Sequence, residues 1–235
     1  MPNFLSHNCS MRSAIVFFAT LLLSAGSMAK AETVSGSARI VDGDTIEVAD
    51  TKVRLFGIDA PEAGQRCKRA SGAGEWECGD AAMDRLVAII NGQPVDCKGD
   101  DWDAYGRLLA ECVSAEGVTI NAQMVRDGAA WAFVKYSDRY AAEEAAARKA
   151  RLGVFQSEAS TTAWDFREAQ WADAMEGAPE GCPIKGNINS KGERIYHAPW
   201  SPQYRKTKVS PEKGERWFCD EADALAAGWR APYRR

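Results

Sequence analysis

Apolar and polar side chains alternate with period two along two consecutive runs, Ser35 to Val48 and Val53 to Ile58. That alternation predicts adjacent β-strands. Asp42-Gly43-Asp44 interrupts the first run as a turn or bulge in which Gly43 relieves the backbone, and Asp50-Thr51-Lys52 supplies the next turn. Asp80 to Ile90 places Ala82, Leu86, Val87, Ile89 and Ile90 at helical spacing, and Asn91-Gly92 stops it. Val95 to Lys98 and Leu108 to Val113 read as one hairpin across the acidic connection Gly99 to Gly106. Ile120 to Asp127 predicts a short helix ended at Gly128, Ala130 to Val134 a strand, and Tyr140 to Leu152 an amphipathic helix with a purely structural role. Ala63 to Gly79 is polar, glycine-rich and non-periodic, so it reads as a surface loop. Thr161 to Ala178 reads as a helix returning to the domain surface, followed by a linker. Strands interrupted by helices, without a βαβ repeat, predict a small closed barrel, and about 120 residues suffice to bury its core.

Composition changes the picture at the chain's start. Arg12 precedes the apolar run Ser13 to Gly26, and Ala29-Lys30-Ala31 offers small residues at signal-peptidase spacing. Residues 1–31 therefore read as an export leader, too short in its apolar run for a membrane span. Without them the chain holds 27 basic and 33 acidic residues, net −6. Cys67, Cys78, Cys97, Cys112, Cys182 and Cys219 remain, an even number that behind an export signal reads as disulfides in a periplasmic or secreted protein. Fifteen pairings are open. Local geometry favours Cys67–Cys78 as a loop staple and Cys97–Cys112 across the hairpin, which leaves Cys182–Cys219 to close the tail. His197 is then the only histidine, which removes mechanisms built on two catalytic histidines or a histidine-rich zinc site.

The candidate chemistry lies in about twenty residues. Asp42, Asp44, Asp59 and Glu62 gather where the first strands end, with Arg54 between them. Carboxylates suit a hard cation with oxygen ligands such as Ca²⁺, and guanidinium suits the phosphate such a cation holds. A charged hairpin rim is the plain alternative. Asp103-Ala104-Tyr105-Gly106-Arg107 adds a second arginine beside a tyrosine. The same connection superficially resembles an EF-hand, but counting from Asp101 the fifth position is Tyr105 and the twelfth is Cys112, where oxygen donors are required.

Val41-Asp42-Gly43-Asp44-Thr45, Arg54-Leu55 through Ile58-Asp59-Ala60-Pro61-Glu62, and Tyr105-Gly106-Arg107 occur in order, followed by Val118-Thr119-Ile120-Asn121 and Val125-Arg126-Asp127-Gly128-Ala129-Ala130. This set, spread over roughly residues 36–157, resembles the staphylococcal nuclease family. The resemblance implies a five-stranded OB-type barrel with about three helices, an α+β, mainly β fold. It implies Asp44, Asp59 and the Ala60 carbonyl as ligands of one Ca²⁺, with alanine standing where the family commonly has threonine. Glu62 falls on the residue that orients and activates the attacking water. Arg54 and Arg107 fall on the two arginines that grip the phosphate, Tyr105 on a phosphate contact, and Tyr136 on a second stacking or phosphate-binding tyrosine. Ala104 replaces a lysine, so that auxiliary contact is missing. Asp42 reads as a turn former behind the site.

The implied function is a Ca²⁺-dependent, sugar-non-specific nuclease acting on DNA and RNA, leaving 3′-phosphate ends, as a monomer without a stable protein partner. The alternative from another class is a non-catalytic nucleic-acid-binding OB module, since such barrels often only bind. The expected organisation is a leader over 1–31, a barrel domain over 32–157, a helical return and linker over 158–181, and a basic module over 182–235. That last part resembles the small cysteine-containing module appended to many bacterial nuclease-like proteins. It holds 11 basic and 6 acidic residues, net +5, against −11 for residues 32–181. Its interleaved Tyr196, Trp200, Tyr204, Trp217, Trp229 and Tyr233 suit stacking along a nucleic-acid backbone, or a solvated basic surface around a minimal core. Cys182, His197 and Cys219 supply only three of four zinc ligands, so a disulfide is the better reading there.

Overall fold

A computed structural model describes residues 31–72 and 74–232. The expected leader, apart from Ala31, lies outside the described residues, as does Tyr233. The strands are β1 (Glu32–Ile40), β2 (Thr45–Val48), β3 (Thr51–Leu55), β4 (Ile58–Asp59), β5 (Arg66–Lys68), β6 (Glu75–Glu77), β7 (Pro94–Trp102), β8 (Leu108–Ser114), β9 (Trp131–Ala132), β10 (Ile184–Ile188), β11 (Arg194–His197) and β12 (Arg216–Phe218). The helices are α1 (Cys78–Ile90), α2 (Ile120–Arg126), α3 (Ala141–Lys149), α4 (Ala163–Met175) and α5 (Glu221–Ala226).

Strands β1, β2, β3, β8 and β7 close into a barrel in that order. The β3–β8 pair is parallel and the other neighbours are antiparallel. Alternation explains the closure. Ile46, Val48, Val53, Leu55, Leu108, Ala110 and Cys112 all point inward and are essentially unexposed, while their neighbours face out. Helix α1 lays Ala82, Leu86, Ile89 and Ile90 on this core, and α2 adds Ile120, Met124 and Val125. The fully buried Asn121 pins α2 to the barrel. Its Oδ1 accepts the Cys112 N–H at 3.0 Å and its Nδ2 donates to the Phe56 and Ala110 carbonyls at 2.9 and 3.1 Å. A buried amide with its capacity so filled adds specificity without an unpaired group.

All three expected disulfides are present: Cys67–Cys78, Cys97–Cys112 and Cys182–Cys219. The supposed loop 63–79 needs correcting, because it contains the antiparallel β5–β6 hairpin and the first turn of α1. Its outward faces are polar, carrying Arg66–Glu75 and Lys68–Glu75 ion pairs, and only Cys67 turns inward from β5. No apolar alternation exists to announce it.

Helix α4, capped by the Thr162 hydroxyl accepting the Asp165 N–H at 3.3 Å, runs between the barrel and the tail. Ala163 and Trp164 pack in a second core with Trp131 and Phe155, and Trp171 packs against a third core of Ile184, Tyr196, Phe218 and Trp229. The tail folds as a three-stranded sheet, β11-β10-β12, with α5 beside it. Among the described residues no helix is long and apolar enough to cross a membrane.

Candidate active site

Asp44 sits at the entrance to β2, where the 42–44 turn is fixed by its own side chains. The Asp42 Oδ1 accepts the Asp44 N–H at 3.1 Å, so Asp42 is a turn former here. Gly43 is required by proximity, because a Cβ on it would lie 2.8 Å from the Ala60 Cβ. This close approach presses the turn against the residues after β4, and the Asp44 Oδ2 accepts the Ala60 N–H at 2.9 Å. Strand β3 carries Arg54 to the same point. Its guanidinium bridges the two aspartates, with Nη1 on the Asp44 Oδ1 and Nη2 on the Asp59 Oδ1 at 2.7 Å. Asp59 is fully buried and Asp44 nearly so.

Glu62 follows Pro61 in a turn that Gln65 holds. The buried Gln65 side chain accepts the Glu62 N–H at 2.9 Å through Oε1 and donates to the Thr161 carbonyl at 2.9 Å through Nε2. Arg107 lies at the foot of β8, where Asp103 accepts from its Nε at 2.7 Å, and its Nη1 reaches the Thr45 hydroxyl at 3.4 Å. Tyr105 lies under the Arg107 guanidinium, 5.2 Å from centroid to Cζ. These groups line one cleft of about 540 Å³ with Phe133 and Tyr136 on one side and Tyr196, Trp200 and Glu221 of the tail on the other. A volume of this size suits a small ligand or a short stretch of a longer one.

Burial dominates the electrostatics. It pushes the Asp44 carboxyl up to about 6 against the pull of Arg54, and the Glu62 carboxyl up to about 8 against the pull of Arg167. Burial also raises Glu221, a carboxyl facing Arg107 and accepting the Tyr196 hydroxyl at 3.3 Å. Burial thus favours the neutral form of these carboxyls, and the guanidiniums beside them oppose it.

The sequence profile described as "Staphylococcal nuclease homologue" matches residues 52–157, and a second profile, ArfC, matches residues 166–231. The chain is 34% identical to the succinoglycan biosynthesis protein ExoI of Rhizobium meliloti (strain 1021), over 52% of this chain and 63% of that protein. It is 36% identical to an uncharacterized endonuclease of Escherichia coli O157:H7, over 42% and 60% of the two chains. It is 33% identical to the micrococcal nuclease of Shigella flexneri, over 56% of this chain and 78% of that nuclease. The chain belongs to the staphylococcal nuclease family. It spans somewhat under two thirds of the length of the first two of these relatives.

In this member of the family Arg54, Glu62, Tyr105, Arg107 and Tyr136 line one cleft, and the buried Asp44 and Asp59 lie behind it, joined to it by the Arg54 guanidinium, with the Ala60 N–H on Asp44. Tyr136 is the most exposed of them, at 66%, and its ring packs edge-on to Phe133 at 4.9 Å. One residue at the centre of this nuclease-family site was not among the expected ones. Arg167 of α4 donates from Nη2 to the Asp59 Oδ2 at 2.7 Å and from Nη1 to the Asp59 Oδ1 at 3.1 Å and the Glu62 Oε1 at 2.7 Å. The signal available for it was weak but real. Ala163, Arg167 and Trp171 recur at a spacing of four, so an arginine occupies the otherwise apolar face of a helix.

Proposed function

We propose that this protein is a metal-dependent nuclease that hydrolyses phosphodiester bonds of DNA and RNA, with Ca²⁺ as its cation and 3′-phosphate ends as its product. The single observation that carries this reading is the Arg54 bridge between the buried Asp44 and Asp59, directly behind a cleft lined by Arg54, Glu62 and Arg107. Relatives named as nucleases support it.

The residues fit a hard cation. Asp44, Asp59 and the Ala60 carbonyl are all oxygen donors, and the Arg54 fork joins the two aspartates at one point. Among the described residues no group of three or more His, Cys, Asp and Glu side chains stands together as a metal site; the donors this chain would offer a cation are Asp44, Asp59 and the Ala60 carbonyl. A bound cation would neutralise phosphate charge and lower the pKa of water.

Arg54 and Arg107 approach from two sides of the cleft, and their planar donors match the equatorial oxygens of a phosphate passing through a crowded, highly charged transition state. Glu62, held by Gln65 and Pro61, orients the attacking water and takes its proton when ionised. Tyr105 and Tyr136 flank the entrance, where one contacts phosphate and the other stacks on a base. Three disulfides support work in an oxidising compartment, in the periplasm or outside the cell.

The test is cleavage of single-stranded DNA, duplex DNA and RNA by purified protein, with Ca²⁺ and with chelator, beside Glu62→Ala. Calcium-dependent cleavage that collapses in the variant, with products that a phosphatase must treat before a polymerase extends them, is the expected result. Nucleic-acid binding by folded protein without cleavage of any substrate refutes the enzyme reading.

A further inference from the structure

Arg167 enters the site from outside the barrel. It sits 108 residues beyond Asp59, on the helix that joins the barrel to the tail module. The helix is fastened on both sides of it. Trp164, one turn earlier, stacks on Phe133 at 5.4 Å and meets Trp131 edge-on at 6.1 Å, while Trp171, one turn later, packs on Trp200 at 6.0 Å. The guanidinium is thus aimed at the carboxylates by aromatic contacts on either side.

Its partners matter more than its presence. Both oxygens of Asp59 accept from Arg167, and one accepts from Arg54 as well. A cation coordinated by Asp59 and the Arg167 guanidinium therefore contest the same lone pairs. Keeping both in so small a volume would also set a divalent charge beside two guanidiniums, where like charges repel strongly in a partly buried pocket. One guanidinium must give way. Arg54 is anchored on a barrel strand between two aspartates and is only 16% exposed. Arg167, at 23% exposure on the cleft wall, has the flexible stem and the open cleft in front of it. The group it would find there, under the nuclease reading, is a phosphate, the other planar-fork partner of guanidinium.

Resting on that reading, we propose that Arg167 is a third active-site arginine, contributed from outside the barrel, which holds Asp59 and Glu62 until a cation takes Asp59 and then transfers to a phosphate of the bound strand. Two consequences follow from one side chain. It lowers the protein's affinity for cation in the absence of nucleic acid, and it raises affinity for the strand once cation is bound. The link makes cation and nucleic acid bind cooperatively, because each favours the same movement of Arg167.

The experiment compares wild type, Arg167→Gln and Arg167→Lys. Calorimetric titration with Ca²⁺ alone, without nucleic acid, reads the first consequence. Steady-state cleavage of a single-stranded oligonucleotide at saturating Ca²⁺, with and without added guanidinium chloride at low millimolar concentration, reads the second. The proposal expects Arg167→Gln to bind Ca²⁺ several-fold more tightly, to raise KM about tenfold or more with a smaller change in kcat, and to recover part of the KM with free guanidinium. Arg167→Lys keeps the charge but loses the fork and falls between. Unchanged Ca²⁺ affinity with unchanged KM in a folded Arg167→Gln protein overturns it, as does weaker Ca²⁺ binding in both variants or no Ca²⁺ binding by any form. If Arg167→Gln does not fold, Arg167→Lys decides alone on the same readouts. Absence of cleavage by wild type, with the tighter Ca²⁺ binding still seen in Arg167→Gln, would refute the nuclease reading and the transfer to phosphate while leaving the contest at Asp59 established.

Discussion

Gly79→Ala, a one-carbon change outside the cleft lining, should remove most of the activity. Gly79 lies in the first turn of α1, and a Cβ there would stand 1.8 Å from the Glu62 carbonyl oxygen and 2.8 Å from its carbonyl carbon. Ordinary contact begins at 3.4 Å, so the 62–65 turn or the helix start must retreat by about 1.5 Å. The turn resists, because Gln65 N–H donates to the Glu62 carbonyl at 2.8 Å and Gly79 N–H to the Gln65 carbonyl at 3.2 Å. Overpacking of this kind costs roughly 1–3 kcal/mol. The better helix propensity of alanine offsets about 1 kcal/mol of that. Because the clash is with backbone rather than a flexible side chain, the net loss of stability is about 2 kcal/mol or more. Misplacing a catalytic group by about 1 Å costs roughly 10²-fold in rate. Single-turnover cleavage at saturating Ca²⁺, read beside thermal melts, separates the two effects. Gly177→Ala is the control, since nothing lies within 4 Å of a Cβ at that position. A wild-type rate for Gly79→Ala, or a loss explained entirely by unfolding, would refute the idea that this contact places Glu62.

Arg54→Lys should lower kcat roughly 10²–10³-fold, as removing a preorganised transition-state donor does, because an ammonium cannot bridge Asp44 and Asp59 as the fork does; oligonucleotide kinetics check it, and a loss under threefold counts against the assignment. The tail module should weaken in mild acid through His197, which is 6% exposed and whose pKa burial and nearby Lys185 hold down at about 4, against 6.5 when free. Its Nε2 meets the Asn187 Oδ1 at 3.0 Å, and its Nδ1 is buried with no partner among the described residues, so a second ring proton would be unsatisfied. The folded form therefore takes up its proton at lower pH than the unfolded form: stability is intact above about 6.5 and falls towards pH 4, by about 2 kcal/mol at pH 5 and about 3 in full. Urea melts followed by tryptophan fluorescence should show that slope in wild type and lose it in His197→Asn, and equal slopes would refute it.

Why the barrel was legible and parts of the site were not has a physical cause. Barrel strands bury one face, so the period-two pattern of Ile46, Val48, Val53 and Leu55 is forced by the fold and visible in the letters. Asp44, Arg54, Asp59 and Glu62 were legible because the consecutive short strands β2 to β4 and their flanking turns bring them within about twenty residues of one another in the chain. The β5–β6 hairpin stands outside the core and is held by ion pairs and one disulfide, none of which needs apolar alternation. Gly79 reads as the last residue of a glycine-rich loop until the Glu62 turn is seen beside it. The aromatic residues of the tail divide between two roles that sequence left open. Tyr196 and Trp229 belong to its small core, yet Tyr196 also lines the cleft with Trp200.

Net charge was the most misleading of the sequence-level quantities. A segment of net −11 argues against attraction to a polyanion. That sum says nothing of position, however, and surface pairs such as Glu111 with Arg139, Glu143 with Arg126 and Glu144 with Arg148 cancel one another without lining the cleft. Such pairs are screened and contribute little field at a distance. Arg54, Arg107 and Arg167 instead line the cleft together; Arg107 is paired with Asp103, while Arg54 and Arg167 are paired with Asp59, a carboxylate proposed to take a divalent cation. A divalent cation held there would add positive charge beside guanidiniums that the aspartates now neutralise. If the aspartates take a cation, the guanidiniums they release would set the attraction for nucleic acid, and Arg167, reaching in from α4, is the one proposed to turn to the strand.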